Sequence, residues 1–132
     1  MTLSGLSNRA PQVLSLLRIV SGLLFLQHGT AKVLGFPLID GMPGPGFSLP
    51  GLSGPLELIF GVLLVLGLFT RPVAFLASGF CAVGYFFAHA GQGFFPILNG
   101  GELIALYCFV FLYLAFAGAG PWSLDAILRK KT

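Results

Sequence analysis

The feature that most restricts the fold is an apolar stretch over residues 11–34, PQVLSLLRIVSGLLFLQHGTAKVL. As a helix it rises about 36 Å, enough to cross the ~30 Å hydrocarbon core of a bilayer with some tilt. A plain anchor needs no charge, yet Arg18, His28 and Lys32 interrupt this one. Ionisable groups at membrane depth are costly and mark functional sites by default. The rest of the chain must supply whatever satisfies them.

Composition points the same way. Of 132 residues 56% are hydrophobic and 8% charged, whereas soluble domains carry roughly a quarter charged. This is the profile of an integral membrane protein of one-domain length. The net charge of +3 rests on too few side chains to form a nucleic-acid face and bears on membrane orientation instead. Cys81 and Cys108 lie in apolar runs without a CxxC spacing and are expected to pack as small thiols. Arg9 ahead of the apolar run and the small residues Gly29-Thr30-Ala31 imitate a signal peptide, but the run is too long for one and no cleavage is expected.

Along the chain, Pro11 suits a first helical turn, and Ser15, Gly22 and Gly29 recur every seven residues as a stripe permitting close helix approach. Residues 35–53 hold Pro37, Pro43, Pro45 and Pro50 among many glycines, predicting an outer loop. Its Phe36, Leu38, Ile39, Met42, Phe47 and Leu49 favour a lid on the bundle or at the interface. A second span is expected over 54–70, with Glu57 in its first turn, and Thr70-Arg71-Pro72 is expected to make the reversal. A third follows over 72–90, with small residues Ala74, Ser78 and Ala82, and with Tyr85 and His89 one turn apart. Residues 91–99 form a second outer loop, and the fourth span covers 100–118. The tail, 119–132, reads as interfacial, with Trp122, Leu124, Ile127 and Leu128 toward lipid and Arg129, Lys130 and Lys131 toward headgroups. The expected fold is all-α: one membrane domain, an antiparallel bundle of four transmembrane helices.

Counting cations near span ends puts both termini in the cytoplasm, with Arg9, Arg71, Arg129, Lys130 and Lys131 inside and Lys32 outside. Arg18 either snorkels inward along its stem or pairs within the bundle. Antiparallel spans then bring Gln27, His28 and Lys32, Glu57, Tyr85, His89 and Gln92, and Asn99 and Glu102 to the outer side. These are the residues of an expected outer-leaflet pocket, with His28, Lys32, Glu57, His89 and Glu102 as proton-exchange candidates and Lys32 paired to Glu57 or Glu102. The plainer alternative is that such a pair, with Asn99 capping a helix, only fixes the bundle.

The segments LLRIVSGLLFLQHGTAKVLGF, PLELIFGVLLVLGLFTRPVA and NGGELIALY carry a resemblance. With Arg18, Gly22, His28, Gly29 and Lys32 in the first, Glu57, Gly61, Gly67, Thr70 and Arg71 in the second, and Asn99 and Glu102 in the third, the chain resembles the DoxX family of small four-helix membrane proteins over residues 11–120. The resemblance implies a bacterial-type inner-membrane protein linked with redox chemistry, since related proteins occur as the membrane subunit of a thiosulfate:quinone oxidoreductase and in complexes with oxidative-stress enzymes.

The first functional expectation is a quinone-linked oxidoreductase subunit. A histidine and a carboxylate beneath Phe86, Phe87, Phe94 and Phe95 would hydrogen-bond a quinone and move its protons. With no nucleotide fingerprint and no cysteine cluster, electrons would come from another substrate or from a membrane or periplasmic partner protein. Haem between His28 and His89 is a variant, and no other metal site is expected. A non-catalytic scaffold using the 35–53 loop as its contact surface is the alternative. A transporter is disfavoured because no polar path crosses the inner half of the spans. Oligomerisation is left open.

Overall fold

The computed structural model describes residues 3–42, 44 and 46–130; Pro43 and Pro45 of the expected loop and Lys131 of the tail lie outside them. The described residues are all-helical, with no strand: α1 Leu3–Ser7, α2 Ala10–Leu34, α3 Leu49–Leu66, α4 Thr70–Ala88, α5 Pro96–Asn99, α6 Glu102–Ala117 and α7 Leu124–Lys130. A 3-10 turn, Ala90–Gln92, follows α4. Helices α2 and α3, and α4 with its turn, are long and apolar enough to cross a membrane. The 16 residues of α6 are equally apolar but rise only about 24 Å, short of the hydrocarbon core.

Burial is inverted relative to a soluble protein. Ser15, Arg18, Ser21, Glu57, Ser78 and Asn99 are buried, while Val13, Leu16, Val20, Leu23, Phe75, Phe109 and Phe116 are exposed. An apolar outer surface of this extent is stable only in an apolar solvent, and there every polar group must be satisfied internally.

Helix α3 departs from expectation. It starts at Leu49, because Ser48 accepts a hydrogen bond from Gly51 N (3.2 Å) as its cap and Pro50 sits in the first turn, where its missing N–H costs nothing. Pro55 is accommodated inside the helix. Glu57 therefore lies about two turns in, away from the helix dipole's positive end. The reversal also comes earlier than Thr70-Arg71-Pro72: Gly67 ends α3 in the left-handed region, Phe69 has φ 52°, and Thr70 already belongs to α4.

The chain folds as two compact units. The first comprises the described residues up to Thr70 with the tail from Ala119. In it α2 and α3 approach backbone to backbone: a Cβ on Gly61 would fall 2.7 Å from Leu26 Cα, and one on Gly29 would strike the backbone of Leu58. Of the expected stripe, Gly22 and Gly29 meet α3, whereas the Oγ of Ser15 accepts the N–H of Trp122 at 3.1 Å. Arg18, fully buried, donates from Nε to Leu64 O (2.9 Å), from one terminal nitrogen to Ala119 O, and from the other to Trp122 O (2.6 Å). Among the described residues its hydrogen bonds all go to backbone carbonyls, and they fasten the tail to the end of α3. Asp125 completes the fastening, donating its N–H to Gly67 O at 2.9 Å and accepting from Phe69 N at 2.8 Å and Thr70 N at 2.9 Å. Trp122, Ile127, Leu128, Arg129 and Lys130 are exposed along the tail.

The second unit is Arg71–Gly118. Val73, Ala74, Ala77, Ser78 and Cys81 of α4 are buried, and Ser78 Oγ donates to Cys108 O of α6 at 2.6 Å. Tyr107 and Phe111 stack at 5.4 Å between ring centroids. Arg71 donates to Ala115 O and Phe116 O, satisfying carbonyls at the C-terminal end of α6. Cys81 is buried and Cys108 half-buried, and neither forms a disulfide among the described residues.

Candidate functional site

In the first unit the site is built from one turn of each long helix. Lys32, in the last turn of α2, reaches across to α3 and donates from Nζ to Glu57 Oε1 at 2.9 Å and to Ser53 Oγ at 3.0 Å. Ser53 in turn donates to Pro50 O at 3.2 Å. Gly54 makes the crossing possible, since a Cβ there would lie 2.8 Å from Lys32 Cβ. The side chains of Lys32 and Glu57 are only 14% and 9% exposed, so this is a desolvated ion pair held between two apolar helices. Of the two partners expected for Lys32, it is Glu57 that holds it. His28, one turn earlier on α2, is half-buried, and Gln27 is exposed.

Ser53 was absent from the sequence-based candidates. It stands four residues before Glu57 and hence on the same helix face, a signal masked by reading residues 35–53 as loop. In that loop Phe36 is 77% exposed, Leu38 81% and Phe47 98%.

In the second unit a polar knot forms around Asn99, which is 3% exposed at the end of α5. Its Nδ2 donates to Tyr85 Oη (3.1 Å) and to Gly93 O (2.9 Å), and its Oδ1 accepts from Gly101 N (2.8 Å). Its backbone oxygen lies 3.0 Å from Nδ1 of His89. Gly101 must be glycine, because a Cβ would stand 2.6 Å from Tyr85 Cε2 and 2.8 Å from Asn99 Oδ1. Glu102, in the first turn of α6, is exposed, and so is Gln92, which donates to Ala88 O at 3.1 Å. Among the described residues no three of His, Cys, Asp and Glu gather as a metal site.

Chemically, the ion pair supplies a fixed cation. Its ammonium has three N–H groups, of which Glu57 and Ser53 take two. The knot of the second unit supplies an oriented imidazole.

Comparison with known proteins agrees with this architecture. The DoxX family model matches residues 13–90, and a model described as TQO small subunit DoxD matches residues 52–132. An uncharacterized protein of Haemophilus influenzae is 46% identical over 134 residues, covering 98% of this chain and 100% of its own. Two Escherichia coli proteins are similar along most of their length. The inner membrane protein YqjF is 31% identical over 86% of this chain and 90% of its own, and the inner membrane protein YphA 30% identical over 87% and 89%. No solved structure gives a significant match. With apolar helices long enough to span a bilayer and relatives that are themselves inner membrane proteins, the chain belongs to the DoxX family and is a protein of the inner membrane.

Proposed function

We propose that this chain is the membrane-embedded subunit of a quinone-linked redox system. Helices α2, α3 and α4, together with α6, whose shorter length is met by local thinning of the bilayer, serve as four antiparallel spans of a single membrane domain with both termini cytoplasmic, an orientation supported by the cations Arg9, Arg71, Arg129 and Lys130 near the inner ends. The observation that carries the function is the desolvated Lys32–Glu57 pair, since two apolar helices would pack more cheaply without charge and intramembrane ionisable groups are otherwise rare. The match to the TQO small subunit DoxD over residues 52–132, which include Glu57, His89 and Glu102, supports the same assignment.

In this mechanism the third N–H of Lys32 donates to a quinone carbonyl and Glu57 holds the ammonium in place. The quinone supplies the two-electron chemistry, and the electrons come from a partner protein. His28, His89 and Glu102 remain the candidate proton carriers, with Gln27, Tyr85, Gln92 and Asn99 in support.

The test is titration of the purified protein in nanodiscs with a short-chain quinone, read by thermal shift. Saturable stabilisation is expected, weakened about tenfold or more in Lys32→Met, because a hydrogen bond from a charged donor contributes about 1.5–3 kcal/mol. Absence of saturable binding, or binding indifferent to Lys32, would overturn the assignment.

A second function, a scaffold that recruits a partner protein, is favoured by the exposure of Phe36, Leu38 and Phe47 in one connection. A partner that co-purifies with the wild type and with Lys32→Met, but is lost when those three residues become serine, would select it.

A further inference from the structure

We infer that His89 is held as the Nδ1–H tautomer and that its bare Nε2 accepts a hydrogen bond from the hydroxyl of a flat, membrane-soluble ring, so that within the quinone couple this position takes the hydroquinone in preference to the quinone. The identity of the couple rests on the proposed function; the tautomer does not.

The partner of Nδ1 decides the tautomer. At 3.0 Å from Nδ1 stands the carbonyl oxygen of Asn99, and a carbonyl oxygen only accepts, so the ring proton must be on Nδ1. A neutral imidazole has one N–H, which leaves Nε2 with a lone pair. Such locking by a backbone carbonyl also orients histidines that work through their other nitrogen.

The carbonyl cannot easily swing away. Asn99 is buried, its side chain is tied to Tyr85, Gly93 and Gly101, and Gly101 is packed so closely that a Cβ there would strike Tyr85 and Asn99. The ring of Tyr85 lies beside the imidazole, tilted 30° with centroids 6.4 Å apart. The imidazole is half-buried, and among the described residues Nε2 has no hydrogen-bond partner.

The neighbouring sequence provides a surface for a ring. Phe86 and Phe87 at the end of α4 are 73% and 74% exposed, and Phe94 and Phe95 after the 3-10 turn are 87% and 60% exposed. A quinone offers Nε2 only carbonyl oxygens, and two acceptors repel. A hydroquinone offers O–H donors, and one such bond contributes about 0.5–1.5 kcal/mol, or roughly a threefold to tenfold preference.

The experiment uses the full chain in nanodiscs with isotopically labelled histidine and nitrogen NMR of the neutral ring. Only two histidines are present, and His28→Gln leaves the His89 signals alone. The expected result is a single Nδ1–H tautomer, relaxed toward a mixture in Asn99→Ala. Should that variant not fold, Tyr85→Phe, which deletes one hydrogen bond of the knot, serves in its place. Titration with a short-chain hydroquinone should shift Nε2 while the matching quinone does not, and the preference for the reduced form should vanish in His89→Phe.

An Nε2–H or mixed tautomer in the wild type overturns the inference whatever binds. The expected tautomer with equal binding of both forms overturns it too, yet leaves the quinone-linked function standing. Binding of neither form removes both together.

Discussion

Arg18 offers the sharpest test of how this fold is held together. Replacing it with methionine keeps an unbranched side chain of similar length and deletes three hydrogen bonds, to Leu64 O, Ala119 O and Trp122 O. Bonds from a charged donor contribute about 1.5–3 kcal/mol each, so the gross loss is about 5–9 kcal/mol. Against it stands the relief of burying a cation that is fully shielded from solvent, several kcal/mol. The net expected destabilisation is about 3–5 kcal/mol. Arg18→Lys, a point charge without the planar fork, should lose about half as much. The assay is reversible unfolding in mixed micelles, with the emission of Trp122, the one tryptophan in the chain, reporting directly on the tail that Arg18 fastens. Arg9→Gln removes the same charge from an exposed site and should fall within about 0.5 kcal/mol of wild type. If Arg18→Met stays within about 1 kcal/mol of wild type and leaves Trp122 emission unchanged, Arg18 is not the fastening described above.

Three further outcomes are expected. Gly61→Ala should cost about 1–3 kcal/mol by forcing α2 from α3, whereas Gly79→Ala, into open space on α4, should be neutral or gain up to about 1 kcal/mol; equal effects in thermal unfolding would contradict the close approach. Glu57→Gln leaves the Lys32 ammonium buried without its anion and should cost about 3–5 kcal/mol, most of it recovered in a Lys32→Met, Glu57→Leu double variant; additive losses in the double-mutant cycle would refute the pair. At Asp125 burial raises the carboxyl, but the hydrogen bonds from Thr70 and Phe69 and the charge of Arg129 outweigh it, leaving the group below the ordinary value of 3.8. A lowered folded-state value means that the stabilisation is present above the ordinary range and is lost as pH falls through it toward the folded value. The stability gap between wild type and Asp125→Asn should therefore shrink below about pH 4, and a gap independent of pH would exclude this role.

How far each element was legible depended on what its signal was made of. Apolar length and helical punctuation predicted α2, α4 and α6 to within about two residues at each end, because transfer of side chains to lipid is nearly independent of their neighbours. Helix α3 was misjudged at its start, since Pro50 and Pro55 read as breakers, and only the Ser48 cap and the first-turn position of Pro50 remove the conflict. That error also concealed Ser53. Gly22 and Gly29 were recognisable as a packing stripe, but nothing in the spacing distinguished Ser15, which serves the tail instead.

The sequence by itself determined that this chain lives in a membrane, which segments become helices, and that Lys32 requires an anion. Tertiary structure alone decided that the anion is Glu57, that Arg18 holds the tail, and that Asn99 orients His89. The physical reason is common to the last two. Their partners are backbone carbonyls, which every residue carries, so no residue pattern announces which one a buried donor will meet. That depends on the register in which the elements of each unit pack, set by contacts such as Gly61 against Leu26 in the first and Gly101 against Tyr85 in the second.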